Sequence, residues 1–135
     1  MNIFGGFAGW LNWYGRRVVL ELLSGKEIRP YNIIEIVEKE AQDQIYDEIA
    51  RLLQNRKNIR TYLKIIKKTA IDEFVGISDL ASFVKKDPST VVFYLNHLLD
   101  MGLIKKEERY YTISDPMIKR LAKKPEFEKE VKIRI

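Results

Sequence analysis

Residues 77–113 read ISDLASFVKKDPSTVVFYLNHLLDMGLIKKEERYYTI, and this stretch decides the fold. It contains a short helical segment, a turn, a second helical segment and two short apolar runs joined by a charged turn. Ser78 is the predicted N-cap of the first helix, because its hydroxyl can accept a backbone N–H of the first turn. Asp79 follows at a position where the helix dipole favours a negative charge.

The second helix is predicted to run from Pro88 to Asp100. Asp87 is its predicted N-cap, and Pro88 occupies the first helical position, where its missing N–H costs nothing. Gly102 is the predicted left-handed residue that ends the helix. Apolar residues at helical spacing form the predicted inward face: Val91, Leu95, Leu98 and Leu99.

A β-hairpin is predicted after the second helix. Leu103 and Ile104 begin its first strand, and the aromatic and β-branched run 109–113 forms the returning strand. Two helices joined by a turn and followed by a hairpin resemble the winged helix-turn-helix, with the hairpin as the wing. This fold serves both DNA-binding proteins and protein-docking modules, so the resemblance leaves the function open.

Composition limits the classes of function. The chain has 135 residues, 46% of them apolar, which is enough for a packed core. It has no cysteine and only one histidine, His97, so thiol catalysis, disulfides, zinc sites and histidine triads are not expected. No pair of acidic residues suggests acid–base catalysis. We therefore expect a protein that is not an enzyme and has no cofactor or metal.

The sequence also predicts a location. It shows neither a secretion signal nor an apolar run long enough to span a membrane, so a cytoplasmic protein without membrane contact is expected. Many Lys, Glu, Ile and Tyr residues and the lack of Cys are typical of a thermophile.

Positive charge is concentrated in the second part of the chain. Residues 1–57 carry eight basic and eight acidic side chains, whereas residues 58–135 carry sixteen basic and eleven acidic ones (16 − 11 = +5). The whole net charge of +5 thus lies on the part that contains the predicted winged helix. This asymmetry favours a polyanion such as DNA as partner, although a Lys-rich surface also serves solubility.

The remaining sequence predicts further elements. Residues 1–56 are interpreted as a lid-like helical hairpin, with helices at about 7–23 and 30–54, and residues 57–122 as the winged-helix domain. The long second helix carries an apolar stripe that must pack on the first helix or on another chain. Further predictions are a helix at 59–71, a small strand at 74–76, a basic helix at 117–123 behind Asp115, and a tail at 123–135 that is an edge strand or a mobile terminus. The predicted fold class is therefore mainly α.

The glycine-rich start, GGFAGWLNWYG at residues 5–15, and the ending Tyr111, Ile113, Asp115 and Pro116 resemble the C-terminal lid and winged-helix region of the archaeal ATPase family, which are AAA-like P-loop proteins. The resemblance covers nearly the whole chain and implies an archaeal source, with Gly5 and Gly6 beside a nucleotide. The family's proline is Ala8 here, and the chain lacks a P-loop. The chain is thus expected to be a lid-plus-winged-helix fragment or a stand-alone remnant without ATPase activity.

DNA binding through the second helix and the wing is one predicted function. The second helix carries no Lys or Arg, so contacts to the DNA backbone are expected to dominate over base reading. The alternative is a protein–protein module that docks on an ATPase core or self-associates, with Val92 and Phe93 in the interface. The DNA-binding candidates are Lys85, Lys86, Ser89, Thr90, Phe93, Asn96, His97, Lys105, Lys106 and Arg109.

Overall fold

The computed structural model describes residues 30–135, with side chains described from residue 36 onward. This part of the chain is mainly helical and contains one small antiparallel β-sheet. Its elements are α1 (Pro30–Leu53), α2 (Ile59–Asp72), α3 (Ile77–Val84), α4 (Pro88–Asp100), β1 (Ile104–Glu107), β2 (Tyr110–Ile113), α5 (Pro116–Ala122) and α6 (Phe127–Ile133). The mainly helical class and the β-hairpin predicted from the sequence are confirmed.

The predictions for the first 29 residues lie outside the described residues. They comprise the helix at about 7–23 and the placement of Gly5 and Gly6 beside a nucleotide.

The long helix α1 buries one stripe of side chains. Val37, Ala41, Ile45 and Ile49 recur every four residues and are all buried, as the apolar periodicity predicted, and Leu53 continues this buried stripe. The described neighbour of this stripe is α6, which packs against α1 and also against α2. Within the described residues, a C-terminal helix therefore packs on α1; the predicted packing of α1 on the first helix concerns residues outside the described range.

A single hydrophobic core extends from α1 to α6. Buried residues of α1, such as Ile45 and Leu53, belong to the same cluster as those of α2, α4 and α6. The core thus continues across residues 55–58, which contain the predicted boundary between the helical hairpin and the winged-helix domain. The division into separate domains stays a prediction.

The helices α2, α3 and α4 and the hairpin pack around each other. α3 contacts both α2 and α4, β1 contacts α4, and β2 contacts α2. Val91, Leu95 and Leu98 of α4 are buried and Leu99 is half-buried, so the predicted inward face of this helix is confirmed. The strands pair antiparallel from Ile104 opposite Ile113 to Glu107 opposite Tyr110.

A third segment joins the hairpin at one residue. Val75 forms an antiparallel bridge with Tyr111, in which Val75 N donates to Tyr111 O at 3.0 Å and Tyr111 N donates to Val75 O at 2.9 Å. The predicted small strand at 74–76 is thus present as a single bridge. Because these two bonds hold residue 75 extended, the chain passes directly from the sheet edge into α3.

The predicted N-cap of α3 is wrong. The helix begins at Ile77 with Gly76 as the N-cap residue, and no side chain caps it. The carbonyl of Gly76 already accepts the Leu80 N–H at 3.2 Å, so Ser78 lies inside the first turn. The bridge at Val75 fixes this early start, which the local signal of a serine could not indicate.

Helix α4 begins and ends where the sequence predicted. Asp87 is its N-cap residue, although its side chain makes no cap hydrogen bond. At the other end Gly102 has φ 76° and donates its N–H to Leu99 O, while Leu103 donates to Leu98 O. This pair of bonds is a Schellman motif, which requires a left-handed residue after the helix. Gly102 supplies that conformation without a Cβ clash.

The predicted edge strand or mobile terminus at the end of the chain is wrong. Residues 127–133 form α6, and Phe127 and Val131 are fully buried in the core. These two residues are four apart and therefore lie on one face of a helix. The alternation of apolar and basic residues from Val131 to Ile135 is typical of a strand. Burial of Phe127 in the core instead holds this segment as a helix.

Candidate nucleic-acid interface

The outer face of α4 carries most of the predicted DNA-reading residues. Ser89, Phe93 and Asn96 are exposed, and Thr90 and His97 are half-buried. Phe93 is 57% exposed, an unusually large fraction for an aromatic side chain on a helix that is otherwise well packed. The structure therefore brings these five residues together on one side of α4.

Phe93 is held by two aromatic neighbours. Its ring lies 4.4 Å from the ring of His97 and 5.8 Å from that of Tyr94, with steep interplanar angles of 67° and 82°. Edge-to-face contacts of this kind are favourable for aromatic rings. Phe93 thus presents a supported ring at the surface.

A hydrogen-bonded layer lies beneath this ring. The Tyr62 hydroxyl on α2 lies 2.6 Å from Nδ1 of His97, and the amide Nδ2 of Asn58 donates to the Tyr94 hydroxyl at 3.0 Å. The rings of Tyr62 and Tyr94 also make an edge-to-face contact at 4.7 Å. We call Asn58, Tyr62, Tyr94 and His97 the support layer, because they fix α4 against the start of α2.

Basic residues adjoin the support layer in the chain. Burial raises the pKa of the Tyr62 hydroxyl, and the positive charge of Arg56 opposes that shift. Arg56, Lys57 and Arg60 are exposed, and they surround Asn58, which touches Tyr94. The start of α2 therefore adds positive charge beside a helix that has none of its own.

The turn between α3 and α4 is the second basic feature. Lys85 and Lys86 are exposed, and they line a shallow depression together with Ser78, Ser82 and Thr90. Lys85 has φ 57°, a left-handed conformation. The backbone N–H groups of Lys85 and Lys86 both donate to the carbonyl of Ala81. The carboxylate of Asp87 also lines the depression and partly offsets its charge.

The hairpin provides the third basic feature, and its charges are partly engaged. Lys105 Nζ lies 3.3 Å from a carboxylate oxygen of Glu107. Lys106 lies over the ring of Tyr111, and the guanidinium of Arg109 lies over the ring of Tyr110. Lys105 therefore pairs with a glutamate of the hairpin, whereas Lys106 and Arg109 contact aromatic rings.

Some residues of this surface were not predicted from the sequence. Asn58, Tyr62 and Arg56 were absent from the candidates, although they support or flank α4. The buried face of α2 includes Tyr62, Ile65 and Thr69 in addition to Leu63, Ile66 and Ala70. These three positions are three and four residues apart, so a wider helical stripe would have included Tyr62.

Metal sites and membrane-spanning helices are not found in the described part of the chain. Within residues 30–135 no group of three or more His, Asp or Glu side chains could hold a metal ion. No helix in that range is both long and apolar enough to cross a membrane.

Comparison of the sequence with models of known protein families and with curated proteins yields no match.

Proposed function

We propose that this chain is a non-catalytic winged-helix module of an archaeal ATPase-like protein and that it binds duplex DNA, mainly through the phosphate backbone. The support for this proposal is the surface around α4, where basic residues precede and follow a helix that has no Lys or Arg of its own. Lys85 and Lys86 precede the helix, and Arg56 and Lys57 directly precede Asn58, whose amide donates to Tyr94 of the helix. The hairpin, with Lys106 and Arg109, follows it.

The distribution of charge explains the proposed mode of binding. Lys and Arg side chains beside the helix can bind phosphate oxygens, which every DNA sequence presents in the same way. Phosphate contacts position a helix in the groove and release condensed counterions, so affinity depends strongly on salt. The helix itself has no basic residue with which to bind guanine in a bidentate manner.

Fluorescence anisotropy with a labelled duplex of about 20 base pairs tests this function. Affinity is expected to be measurable at low salt, and log K should fall linearly with log salt with a slope of about 0.9 for each phosphate neutralised. The double variant Lys85→Ala/Lys86→Ala should weaken binding and lower the slope by almost 2. Absence of binding at low salt by the unaltered chain would reject the function.

A matched control is available on α6. Lys129 is exposed, and the main packing partners of α6 are α1, α2 and α5. The variant Lys129→Ala removes one positive charge far along the chain from the proposed surface. Its slope and affinity should remain close to those of the unaltered chain, and an equal loss would indicate non-specific attraction to the net charge.

A protein-docking module is the second candidate function, with docking on an ATPase core or self-association. It is favoured by the exposed apolar side chain of Phe93, beside the half-buried Val92. Sedimentation velocity tests it: Phe93→Ala and Val92→Glu should each shift an oligomer, or a complex with an ATPase core, towards the free chain. Unchanged sedimentation of both variants, with and without the core, would argue against docking through this face.

A further inference from the structure

The exposed stripe of α4 pairs an aromatic ring with an amide. Phe93 and Asn96 are three residues apart and both exposed, so they project from the same side of the helix. Within the part of the chain that the structure describes, the exposed Asn96 side chain makes no hydrogen bond, so its amide is available to a ligand. The stripe thus offers one apolar and one bidentate polar group.

These two groups match one type of base pair. In the major groove, thymine displays a C5-methyl group and adenine displays the N7 acceptor and the N6 amino donor. Asparagine binds adenine in a bidentate manner, with Nδ2 donating to N7 and Oδ1 accepting from N6, and phenylalanine contacts the thymine methyl. Guanine displays two acceptors, which Arg or Lys would bind, and neither occurs from Asp87 to Asp100.

The support layer orients the Phe93 ring in the free protein. Because Phe93 packs on His97 at 4.4 Å and on Tyr94 at 5.8 Å, its ring is oriented before DNA arrives. His97 is in turn held by the hydroxyl of Tyr62 at 2.6 Å. A side chain held in place in the free protein loses less conformational entropy on binding.

We propose that α4 reads A·T base pairs in the major groove, with Phe93 on a thymine methyl and Asn96 on an adenine. This inference rests on the proposed DNA binding and adds a base preference to it. Backbone contacts supply most of the affinity, and the uncharged stripe selects A·T over G·C at the base pairs that it faces.

Replacement of thymine by deoxyuridine tests the role of Phe93 with a change of one methyl group. The anisotropy assay compares an A·T-centred duplex, the same duplex with deoxyuridine for thymine, and a G·C-centred duplex of equal length. The deoxyuridine duplex should bind about threefold to fivefold more weakly for each methyl contacted. This ratio should stay constant as salt rises, because the contact carries no charge.

Variants of the chain assign the effect to its residues. Phe93→Ala should bind the thymine and deoxyuridine duplexes equally, whereas Phe74→Ala, which removes a ring of similar exposure (54% against 57%), should keep the ratio. Asn96→Ala should lose sensitivity to 7-deazaadenine, which lacks the N7 acceptor. Circular dichroism confirms that each variant is folded, and Phe93→Leu, which keeps an apolar group, should retain part of the ratio.

The outcomes separate this inference from the proposed function. Equal affinity of the unaltered chain for thymine, deoxyuridine and G·C duplexes, with the expected salt slope, would overturn A·T reading and leave backbone binding intact. A deoxyuridine effect that persists in Phe93→Ala would overturn the role of Phe93. Failure to bind any duplex at low salt would overturn both proposals.

Discussion

The Tyr62 hydroxyl on α2 and Nδ1 of His97 on α4 lie 2.6 Å apart, and they join the two helices through a buried tyrosine and a half-buried histidine. This hydrogen bond also sets the position of Phe93, whose ring packs on His97. The only histidine of the sequence therefore has a structural role beneath the candidate interface.

Loss of this hydrogen bond should be measurable. Tyr62→Phe keeps the ring in the core and leaves His97 Nδ1 without its partner, so the free energy of unfolding should fall by about 1 kcal/mol. Urea denaturation followed by circular dichroism measures the change. Tyr110→Phe, at a 38% exposed tyrosine, is the control and should have almost no effect. Equal stability of Tyr62→Phe and the unaltered chain would contradict the prediction.

Stability should decrease at alkaline pH. Burial raises the pKa of the hydroxyls of Tyr46 and Tyr62 above their ordinary value of about 10, and for Tyr46 the charges of Glu126 and Glu130 add to this shift. The folded state therefore binds these protons more strongly than the unfolded state. Their contribution to stability is complete below pH 10 and is lost as pH rises through the folded-state pKa values.

Unfolding measured at pH 9 and at pH 11 checks this dependence. The double variant Tyr46→Phe/Tyr62→Phe should show a smaller decrease between the two pH values than the unaltered chain does. The variant Tyr110→Phe should behave like the unaltered chain, because this tyrosine is partly exposed. An identical decrease in all three proteins would assign the pH dependence to other groups.

Arg134 should stabilise the packing of the chain's end on α1. Its guanidinium contacts Asp43 at 3.0 Å, Asp47 at 2.9 Å and Glu130 at 2.6 Å, and it lies over the ring of Tyr46. Single exposed ion pairs contribute little, but one guanidinium shared by three carboxylates loses side-chain entropy only once. Arg134→Ala should therefore lower the free energy of unfolding by about 1 to 2 kcal/mol.

Two further variants make this prediction specific. Arg134→Lys keeps the charge but lacks the planar fork, so it should recover only part of the loss. Arg51→Ala removes an exposed arginine that pairs with Glu48 one turn away on α1 and should change the unfolding midpoint very little. High salt should reduce the difference between Arg134→Ala and the unaltered chain. A full recovery by Arg134→Lys would show that charge alone is sufficient.

Substitution of Lys85 should change stability and DNA affinity in opposite directions. Because it has φ 57°, Lys85→Gly removes a Cβ from a left-handed position and should raise the free energy of unfolding by up to about 1 kcal/mol. The same variant should lower DNA affinity and reduce the salt slope by about 0.9. Thermal unfolding and anisotropy measure the two effects.

Lys85→Ala is the matched control for this position. It removes the same charge but keeps a Cβ in the left-handed conformation, so it should weaken DNA binding equally without the gain in stability. If Lys85→Gly left the salt slope unchanged, Lys85 would not contact phosphate.

Local signals predicted much of the fold around the candidate interface. Asp87, Pro88 and Gly102 marked the ends of α4, and the charged turn marked the β-hairpin, because caps, prolines and left-handed glycines act through neighbouring residues alone. The exposure of Phe93 also followed from helical spacing. These features depend on sequence separations of a few residues.

The features that the sequence did not predict depend on distant contacts. The start of α3 is set by the bridge between Val75 and Tyr111, which are 36 positions apart, and Ser78 could not reveal it. The contact between Tyr62 and His97 spans 35 positions. The helix at the end of the chain forms because Phe127 is buried in a core shared with α1, where its ring lies 6.3 Å from that of Tyr46.

The sequence alone therefore determined the order of elements from α1 to α5, the ends of α4 and its lack of basic residues. The tertiary structure decided which residues support α4: it joined Asn58 and Tyr62 to this helix by hydrogen bonds, and it placed α6 on α1. The physical reason is that capping and periodicity act over one or two turns. Burial and hydrogen bonding between helices instead depend on the whole core, which forms only when residues far apart in the chain meet.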